Sequence, residues 1–361
     1  MTLRLTLAAL ACVCGLSLAA PALAPAHVVV GMGENNTQLF GDPRFLALRI
    51  EQVRDDIAWN AVEVPRERAE LTAWLDDARV DGLEPLITFD HVIGSVRAER
   101  RLPTVAQFSR AFLRLRHLFP WVTQFETWDE ANFYLEGTAF NPQRAAQYYL
   151  ALRRDCPRCT ILAADLLDVP RSEAVPLVLW VHEFIHFAHR QPPYWGLNNY
   201  FGANRFETGT TEALLHAVRG KIWFAETGGI VKRVNATHVN FVQGAKHAAS
   251  VDRFIFRKLV KLSPRIERVY LYEWKAVSAH DTWDSALISW NNSVRPAYNV
   301  LASTLHSWGI GPDCTISLAP PACAGYTGPT GATGASGPSG ASGPSGASGP
   351  SGASAAKLRG S

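Results

Sequence analysis

Short apolar runs alternate with segments of helical periodicity through most of this chain, and that alternation limits the fold more than any other feature. Strands buried on both faces give continuous apolar runs, and the helices that join them give amphipathic segments, so the pattern favours a parallel sheet. The sequence predicts eight strands, at residues 28–31, 52–57, 84–89, 124–128, 160–164, 194–198, 221–225 and 268–272. It predicts helices at residues 66–79, 104–118, 143–154, 173–190, 211–219, 240–262 and 295–306. Eight such repeats match a single α/β domain of the (β/α)₈ or TIM barrel type, whose chemistry lies at the carboxyl ends of the strands.

Four residues are predicted to mark helix ends. Thr104 and Thr210 are suited to cap helix amino termini, because a hydroxyl oxygen accepts from free backbone N–H groups. Gly82 and Gly220 follow predicted helix ends, where a left-handed residue is favoured.

The two ends of the chain differ in composition from its body. Arg4 precedes an uncharged apolar run and then alternating small residues, which predicts a signal peptide over residues 1–26 and export of the remainder. From Gly325 onward glycine occupies every third position through ten triplets, so residues 325–361 resemble a collagen-like tail. Trimerisation through a triple helix and a flexible spacer both fit this tail. Residues 27–324 remain for one globular domain.

Charge excludes two classes of partner. The chain has 35 basic and 32 acidic residues, and three of the basic ones, Arg4, Lys357 and Arg359, lie in the predicted leader or tail, so the body is neutral. A neutral body without a basic cluster argues against a nucleic-acid partner and against attraction to anionic membrane surfaces. No stretch after the leader reaches the ~18 consecutive apolar residues of a membrane span.

Four cysteines lie outside the predicted leader, and an even number in an exported chain indicates disulfides. Three pairings are possible. Nearness in sequence favours Cys156 with Cys159 and Cys314 with Cys323. A redox or zinc half-site is the alternative for the CxxC at Cys156, but no second CxxC completes a four-thiolate site.

Polar residues directly follow most of the predicted strands. They are Glu34 and Asn35, Asp90 and His91, Glu130 and Asn132, Asp165, Asn199 and Tyr200, Glu226, and Glu273 with Trp274. Because the carboxyl ends of parallel strands meet at one rim of a barrel, these side chains are predicted to line a wet mouth above an apolar interior.

Two strand ends carry motifs. The segment WDEAN (residues 128–132) ends the fourth strand, and WFAETG (residues 223–228) ends the seventh. Their order and spacing resemble the retaining glycoside hydrolases of clan A, the 4/7 superfamily, whose acid/base and nucleophile end these two strands. The resemblance implies that Glu130 is the acid/base and Glu226 the nucleophile. Retaining hydrolysis places such carboxyl groups ~5 to 5.5 Å apart, one protonated and one ionised.

Other residues extend the resemblance. Arg54 matches the clan's strand-two arginine beside the nucleophile, and Tyr200 matches a strand-six tyrosine that hydrogen-bonds it. Residues 283–288 and 295–298 resemble the segment after strand eight. Three positions depart from the clan's pattern: Asp129 replaces an asparagine that donates to the sugar 2-hydroxyl, Ala131 a proline, and Asn198 a common histidine.

The predicted substrate-binding residues are Arg54, Asp129, Asn132, Asn199, Tyr200, Trp274 and Asp90. Aromatic rings near strand ends offer flat faces for sugar rings, and about two or three of the candidates are expected to line the cleft. The candidates are Trp59, Phe133, Tyr134, Trp195, Trp223, Trp274 and Trp283.

The segment HEFIH (residues 182–186) matches the HExxH signature of zinc metalloproteases. Helical periodicity, however, places His182, Glu183 and His186 opposite the apolar face of their helix. We therefore predict that they face solvent, away from the barrel mouth.

Together these observations predict a secreted retaining glycoside hydrolase that acts on a β-linked polysaccharide or oligosaccharide, with no metal or organic cofactor. A non-catalytic glycan-binding or surface-display protein is the alternative, motivated by Asp129, Ala131 and the repetitive tail. A zinc metalloprotease is the third hypothesis.

Overall fold

The computed structural model describes residues 27–234 and 241–312. The predicted signal peptide, the glycine-repeat tail and the pair Cys314 and Cys323 lie outside the described residues. Residue 240, the predicted first residue of one helix, also lies outside them.

Eight parallel strands form a barrel, as predicted. The strands in chain order are β1 (Val29–Gly33), β2 (Gln52–Ala58), β3 (Glu84–Asp90), β4 (Gln124–Glu126), β5 (Thr160–Leu162), β6 (Tyr194–Asn198), β7 (Lys221–Thr227), β8 (Lys232–Arg233), β9 (Ile266–Tyr272) and β10 (Trp283–Asp284). The barrel order is β5-β4-β3-β2-β1-β9-β7-β6, and β8 pairs with β10 in a separate antiparallel pair. Backbone hydrogen bonds from the chain after β5 reach β6, among them Gly196 N to Ala164 O at 2.9 Å and Asn198 N to Leu166 O at 2.7 Å. These bonds close the ring between its first and last strands.

Helices cover the outside of the barrel. They are α1 (Pro43–Leu48), α2 (Pro65–Val80), α3 (Val96–Glu99), α4 (Val105–Leu118), α5 (Pro142–Asp155), α6 (Leu177–Ala188), α7 (Tyr200–Arg205), α8 (Gly209–Ala217), α9 (Ala245–Arg257) and α10 (Pro296–Ser307). The seven predicted helices are present; α1, α3 and α7 were not predicted, because helices of one or two turns are too short to show a period. Helix α6 begins four residues later than predicted, since Pro176 disfavours helical backbone at the residue before it. No helix within residues 27–234 and 241–312 is long and apolar enough to cross a bilayer.

The helix-end predictions are half correct. Thr104 caps α4 in a reciprocal capping box with Gln107, and Gly82 follows α2 with a φ of +71°. Helix α8 begins before Thr210, at Gly209, so the predicted cap is wrong. Gly220 has no positive φ; a side chain there would overlap the backbone carbonyls of Pro192 and Pro193, so close approach is the reason for glycine.

The Cys156–Cys159 disulfide is present, as predicted, with Cα atoms 5.4 Å apart. Cys156 is the C-cap residue of α5, and Cys159 immediately precedes β5. The bond therefore closes the turn between a helix and a strand at the amino-terminal end of the barrel, opposite the mouth.

Polar side chains occupy much of the barrel interior. Near the amino-terminal end, Arg268 lies 4.0 Å from the Trp223 ring centroid and donates to the side-chain oxygens of Gln52 and Gln124 at 2.5 and 2.6 Å. Towards the mouth, Arg54 and Glu126 are buried with exposed fractions of 1% and 0%. The prediction of an apolar interior is therefore correct only in part. Leu86, Leu162, Trp223 and Tyr270 form an apolar cluster between strands, separate from the large apolar core that packs the helices against the barrel.

Gly196 on β6 leaves the space that the Glu126 carboxyl group occupies. A Cβ atom at residue 196 would overlap Glu126 Oε1, with the Ala164 carbonyl oxygen at 3.1 Å on the other side. We expect Gly196→Ala to reduce the free energy of unfolding by about 1–3 kcal/mol, the usual cost of overpacking. Urea denaturation measures this change.

Gly209→Ala is the matched control for that prediction. Gly209 begins α8, and a Cβ atom there would meet nothing within 4 Å. Its effect should stay within about 0.5 kcal/mol, as for most surface substitutions. Equal effects of the two variants would contradict the steric role of Gly196.

Candidate active site

Arg54 is the centre of the site. It lies on β2, and its guanidinium group donates from Nη1 to Glu226 Oε2 at 2.7 Å and from Nη2 to Asp129 Oδ1 at 2.6 Å. Nη2 also donates to Asp165 Oδ2 at 3.1 Å. Burial alone would lower the pKa of Arg54, but the carboxylates of Glu226, Asp129 and Asp165 outweigh it and hold the pKa well above its ordinary value. One cation on β2 thus contacts carboxyl groups at or after the ends of three other strands.

Glu226 follows the apolar part of β7 and has donors on both carboxylate oxygens. The Tyr200 hydroxyl donates to Oε1 at 3.1 Å, while Arg54 donates to Oε2. Burial, followed by the charge of Glu226, holds the pKa of Tyr200 well above its ordinary value, so the hydroxyl keeps its proton. The Trp283 ring packs edge-on against Tyr200 with centroids 4.9 Å apart. Glu226 is therefore fixed in position and stabilised as a carboxylate.

Glu130 has an unusual backbone conformation. Its φ is +40°, in the left-handed region that residues other than glycine and asparagine rarely adopt. Hydrogen bonds hold the chain on both sides: Asp129 N donates to Phe89 O on β3, and Ala131 N donates to Asp165 O, each at 2.8 Å. Such strain persists only where the surrounding structure imposes it, and it clusters at functional sites.

Two more carboxyl groups lie beneath this rim. Glu126 accepts from the Thr88 hydroxyl at 2.9 Å, and Asp165 accepts from Arg54. Burial, only partly opposed by Arg54, raises the pKa of Glu126 to about 8. Burial and the charge of Glu126 hold the pKa of Asp165 well above its ordinary value. Glu126 therefore carries a proton near neutral pH, and burial favours the neutral form of Asp165. Arg54 balances the carboxylates at the rim.

The raised pKa of Glu126 predicts a pH-dependent stability. Between about pH 4.5 and 8 the folded protein holds a proton on Glu126 that the unfolded chain releases, so the free energy of unfolding falls as pH rises across this window. Glu126→Gln should remove a slope of up to about 1.4 kcal/mol per pH unit. Urea denaturation at pH 5, 6.5 and 8 measures the slope. The exposed Glu183→Gln variant should keep it, and an unchanged slope in Glu126→Gln would contradict the prediction.

Two residues predicted to bind substrate lie elsewhere. The Asn132 amide is fully buried and is used by backbone: Nδ2 donates to the carbonyls of Leu167 and Val175, and Oδ1 accepts from Leu167 N. Asn132 therefore holds the loop after β5. Trp274 is also fully buried, and its Nε1 donates to Asp42 Oδ2 at 3.2 Å. Its ring packs among helices α1 and α10 and has no free face for a sugar.

Asp90 belongs to a triad that the sequence did not reveal. His91 Nδ1 lies 2.8 Å from Asp90 Oδ1 and 2.9 Å from Glu136 Oε1, and Trp128 Nε1 donates to Glu136 Oε2. Burial lowers the pKa of His91, but the two carboxylates outweigh it and raise the pKa to about 11. The triad thus links the end of β3 to the loop after β4 through a charged imidazolium. These are also the three described side chains close enough to share a cation.

The remaining predicted residues lie near the rim. The Asn199 amide is fully buried, and both of its polar atoms lack a hydrogen-bond partner within residues 27–234 and 241–312. Among the aromatic candidates, Trp195, Trp223 and Trp274 are buried, whereas Trp283 lies beside Tyr200. Phe140 was not predicted; it is 74% exposed and stacks on Tyr134.

The HExxH residues face solvent, as predicted. His182, Glu183 and His186 are exposed on α6, whose opposite face buries Trp180 and Phe184. This segment lies on the outer helical layer and contributes nothing to the site at the barrel mouth.

Comparison with known proteins agrees on the fold. No family model matches the chain, and no curated protein is similar to it. Solved structures with a similar fold include a fungal β-1,4-galactanase, with a TM-score of 0.55 and 11% sequence identity; the match covers 76% of this chain and 99% of the galactanase. The β-glucosidase 1317 matches with a TM-score of 0.54 and 13% identity, over 75% of this chain and 88% of the glucosidase. The intracellular xylanase TsXylA from Thermoanaerobacterium saccharolyticum matches with a TM-score of 0.52 and 8% identity, over 76% of this chain and 95% of the xylanase. The chain spans about half the length of the matching β-glucuronidases from Bifidobacterium dentium (46%), an uncultured Clostridium (50%) and Ruminococcus gnavus (50%).

Proposed function

We propose that the protein is a retaining glycoside hydrolase that cleaves β-linked glycans, with Glu226 as the nucleophile and Glu130 as the acid/base. The observation that carries the proposal is the Arg54 guanidinium, which fixes Glu226 at 2.7 Å and Asp129, the neighbour of Glu130, at 2.6 Å. The matching galactanase, glucosidase and xylanase folds support it, because their names describe β-glycosidases.

The first step forms a glycosyl–enzyme ester. A Glu226 oxygen attacks the anomeric carbon while the bond from that carbon to the leaving oxygen breaks, and Glu130 gives its proton to that oxygen. Arg54 and Tyr200 orient Glu226 and stabilise its charge before attack. Their hydrogen bonds also leave the carboxylate little freedom to rotate, so its position costs no reorganisation during the reaction.

The second step hydrolyses the ester. Glu130, now ionised, removes a proton from water, whose oxygen attacks the anomeric carbon on the face that the leaving group vacated. The bond to Glu226 breaks, and the carboxylate returns to Arg54 and Tyr200. Two inversions at one carbon retain the β configuration.

Asp129 takes a different role from the asparagine of the resembled clan. Its carboxylate binds Arg54, and an ionised carboxylate only accepts hydrogen bonds. We propose that it positions Arg54, and that a sugar hydroxyl reaching Asp129 acts as the donor.

The proposal includes location. The leader-like residues 1–26 support export, and an exported glycosidase meets extracellular polysaccharide or oligosaccharide as its substrate. The glycine-repeat tail supports either trimerisation or spacing from a surface.

A mechanism-based label tests the proposal. A 2-deoxy-2-fluoro β-glycoside with a good leaving group should form a stable ester, which mass spectrometry of the intact protein detects and peptide mapping assigns to Glu226. Labelling should persist in a chelator and vanish in Glu226→Gln. If a panel of such sugars binds without labelling, the protein is a glycan-binding module instead; loss of activity in chelator would favour a metalloenzyme.

A further inference from the structure

Arg233 is a buried cation on the wall of the barrel mouth. It lies on β8, directly opposite Trp283 of β10, and only 7% of its surface is exposed. Its guanidinium carbon lies 5.1 Å from the Phe241 ring centroid and 5.8 Å from the Trp283 ring centroid. Gln243 exchanges two hydrogen bonds with the Arg233 backbone, which fixes the segment that carries the side chain.

This cation is incompletely paired. Within the described residues, Arg233 Nε is buried and has no hydrogen-bond partner. The Glu173 carboxylate lies 3.9 Å from Nη2, which is beyond hydrogen-bond distance. A buried donor without an acceptor is costly, and such groups are usually satisfied by a ligand, an ion or water.

The position of Arg233 relates it to the reacting groups. Trp283, which packs against the guanidinium, also contacts Tyr200, and Tyr200 donates to Glu226. Burial lowers the pKa of Arg233, and the charges of Glu173 and then of Glu130 oppose that effect. Arg295 donates to both carboxylate oxygens of Asp284, the second residue of β10, at 2.5 and 2.7 Å, and these hydrogen bonds fix the position of β10. Arg233 is therefore held on the far side of Trp283 from Tyr200, the residue that donates to the proposed nucleophile.

We propose that Arg233 forms an anion subsite, and that the glycan that the protein cleaves bears a carboxylate, as in a uronic acid, on a sugar unit next to the scissile bond. This inference rests on the proposed function and names its substrate class. A carboxylate can accept two parallel hydrogen bonds from a guanidinium fork, which a hydroxyl group cannot do. Glu173 lies near the guanidinium group but beyond hydrogen-bond distance, so the substrate carboxylate would supply the acceptor that Arg233 lacks within the described residues.

Paired ligands test this subsite separately from turnover. Sulfur-linked oligosaccharides of β-linked glucuronic acid resist hydrolysis, and the matched glucose compounds differ only at C6. The ratio of interest is the Kd of the glucose compound divided by the Kd of the matched glucuronic acid compound, measured by calorimetry with the full chain. We expect this ratio to be about 10 to 150 in the β-1,4 or the β-1,3 series, the range that charge-assisted hydrogen bonds give. In Arg233→Gln this ratio should fall to within about twofold of one, because the variant lacks the guanidinium group that binds the carboxylate.

Two further variants make the result decisive. Arg66→Gln on α2 removes the same charge from a side chain that is 76% exposed, and it should keep the wild-type ratio. If Arg233→Gln does not fold, as judged by circular dichroism, Arg233→Lys keeps the charge without the fork and should give an intermediate ratio. A wild-type ratio near one in both series, the wild-type preference retained in Arg233→Gln, or the full wild-type preference retained in Arg233→Lys overturns the subsite. Hydrolysis of neutral glycans without any preference for uronates would reject the anion subsite but leave the proposed hydrolase activity standing. A preference for uronates without labelling of Glu226 would support the anion subsite but reject the proposed hydrolase activity.

Discussion

Glu226→Gln should abolish turnover, with kcat reduced by at least about 10⁴-fold, or ~5.5 kcal/mol of barrier. The amide is nearly isosteric with the carboxylate but is a far weaker nucleophile. Its amide oxygen can still accept from Arg54, and its amide NH2 can donate to the Tyr200 hydroxyl oxygen, so the fold should survive. Reducing-end release from a β-glycan, measured beside the thermal unfolding midpoint, tests both parts of the prediction.

Glu130→Gln should lower kcat by about 10²- to 10⁴-fold on natural glycosides, the usual range for a lost acid/base group. The loss in the first step should shrink for aryl glycosides, because a phenolate with a low pKa leaves without a proton. Glu183→Gln is the control for both variants: it makes the same change at an exposed glutamate on α6 and should be fully active.

Azide distinguishes the two roles chemically. In Glu130→Ala, azide should attack the glycosyl–enzyme ester and give a β-glycosyl azide, since it enters where water does. In Glu226→Ala, azide should occupy the space of the lost carboxylate and give the α-azide. Wild-type rates in both glutamine variants, or the reverse assignment of azide products, would reject Glu226 as the nucleophile and Glu130 as the acid/base.

Arg54→Met should reduce the free energy of unfolding by about 3–5 kcal/mol, as expected when one partner of a buried ion pair is removed. Arg54 is 1% exposed and contacts Glu226, Asp129 and Asp165, so its loss leaves several carboxyl groups buried without a cation. The loss should be smaller at pH 5 than at pH 8, because protonation of the cluster relieves the repulsion. Urea denaturation at the two pH values measures this.

Arg268→Met provides the comparison within the same barrel. Arg268 donates to the neutral amides of Gln52 and Gln124, so its removal strands acceptors but no carboxylate of this cluster. We expect its cost to be smaller and nearly independent of pH. A pH-independent loss in Arg54→Met, equal to that in Arg268→Met, would show that packing and not charge is the role of Arg54.

The fold was predictable because its causes are local and repeated. Apolar strand runs and helical periods recur along the chain, and the capping box at Thr104 is a contact between residues three apart. The predictions failed where the cause lies in a distant neighbour. Gly220 is required by the carbonyls of Pro192 and Pro193 and not by a helix end. Gly196, for which the sequence made no prediction, is required by a carboxyl group on another strand. The sequence shows a glycine in each case, but not the atom that excludes a side chain.

The site was predictable in part. The order of Arg54, Glu130, Tyr200 and Glu226 at the second, fourth, sixth and seventh strands allowed their grouping, because strand ends of a barrel converge. The burial of Asn132 and Trp274 was not predictable, since the side chain of a residue at a strand end can point either into the cleft or into the packing between loops and helices. Glu136 and Phe140 lie in a loop, and Arg233 lies in a two-residue strand that pairs with the distant strand β10. No period marks such residues in the sequence.

The amino-acid sequence by itself determined the barrel, the strand ends at which acids gather, and the outward face of the HExxH helix, because each follows from spacing along the chain. Only the tertiary structure decided the ionisation of the interior. The charge state of Glu126 and Asp165 depends on burial and on one shared guanidinium, and both arise when strands distant in sequence close into a ring. Solvent exclusion and the distances between charges are properties of that closed ring, so no local pattern could specify them.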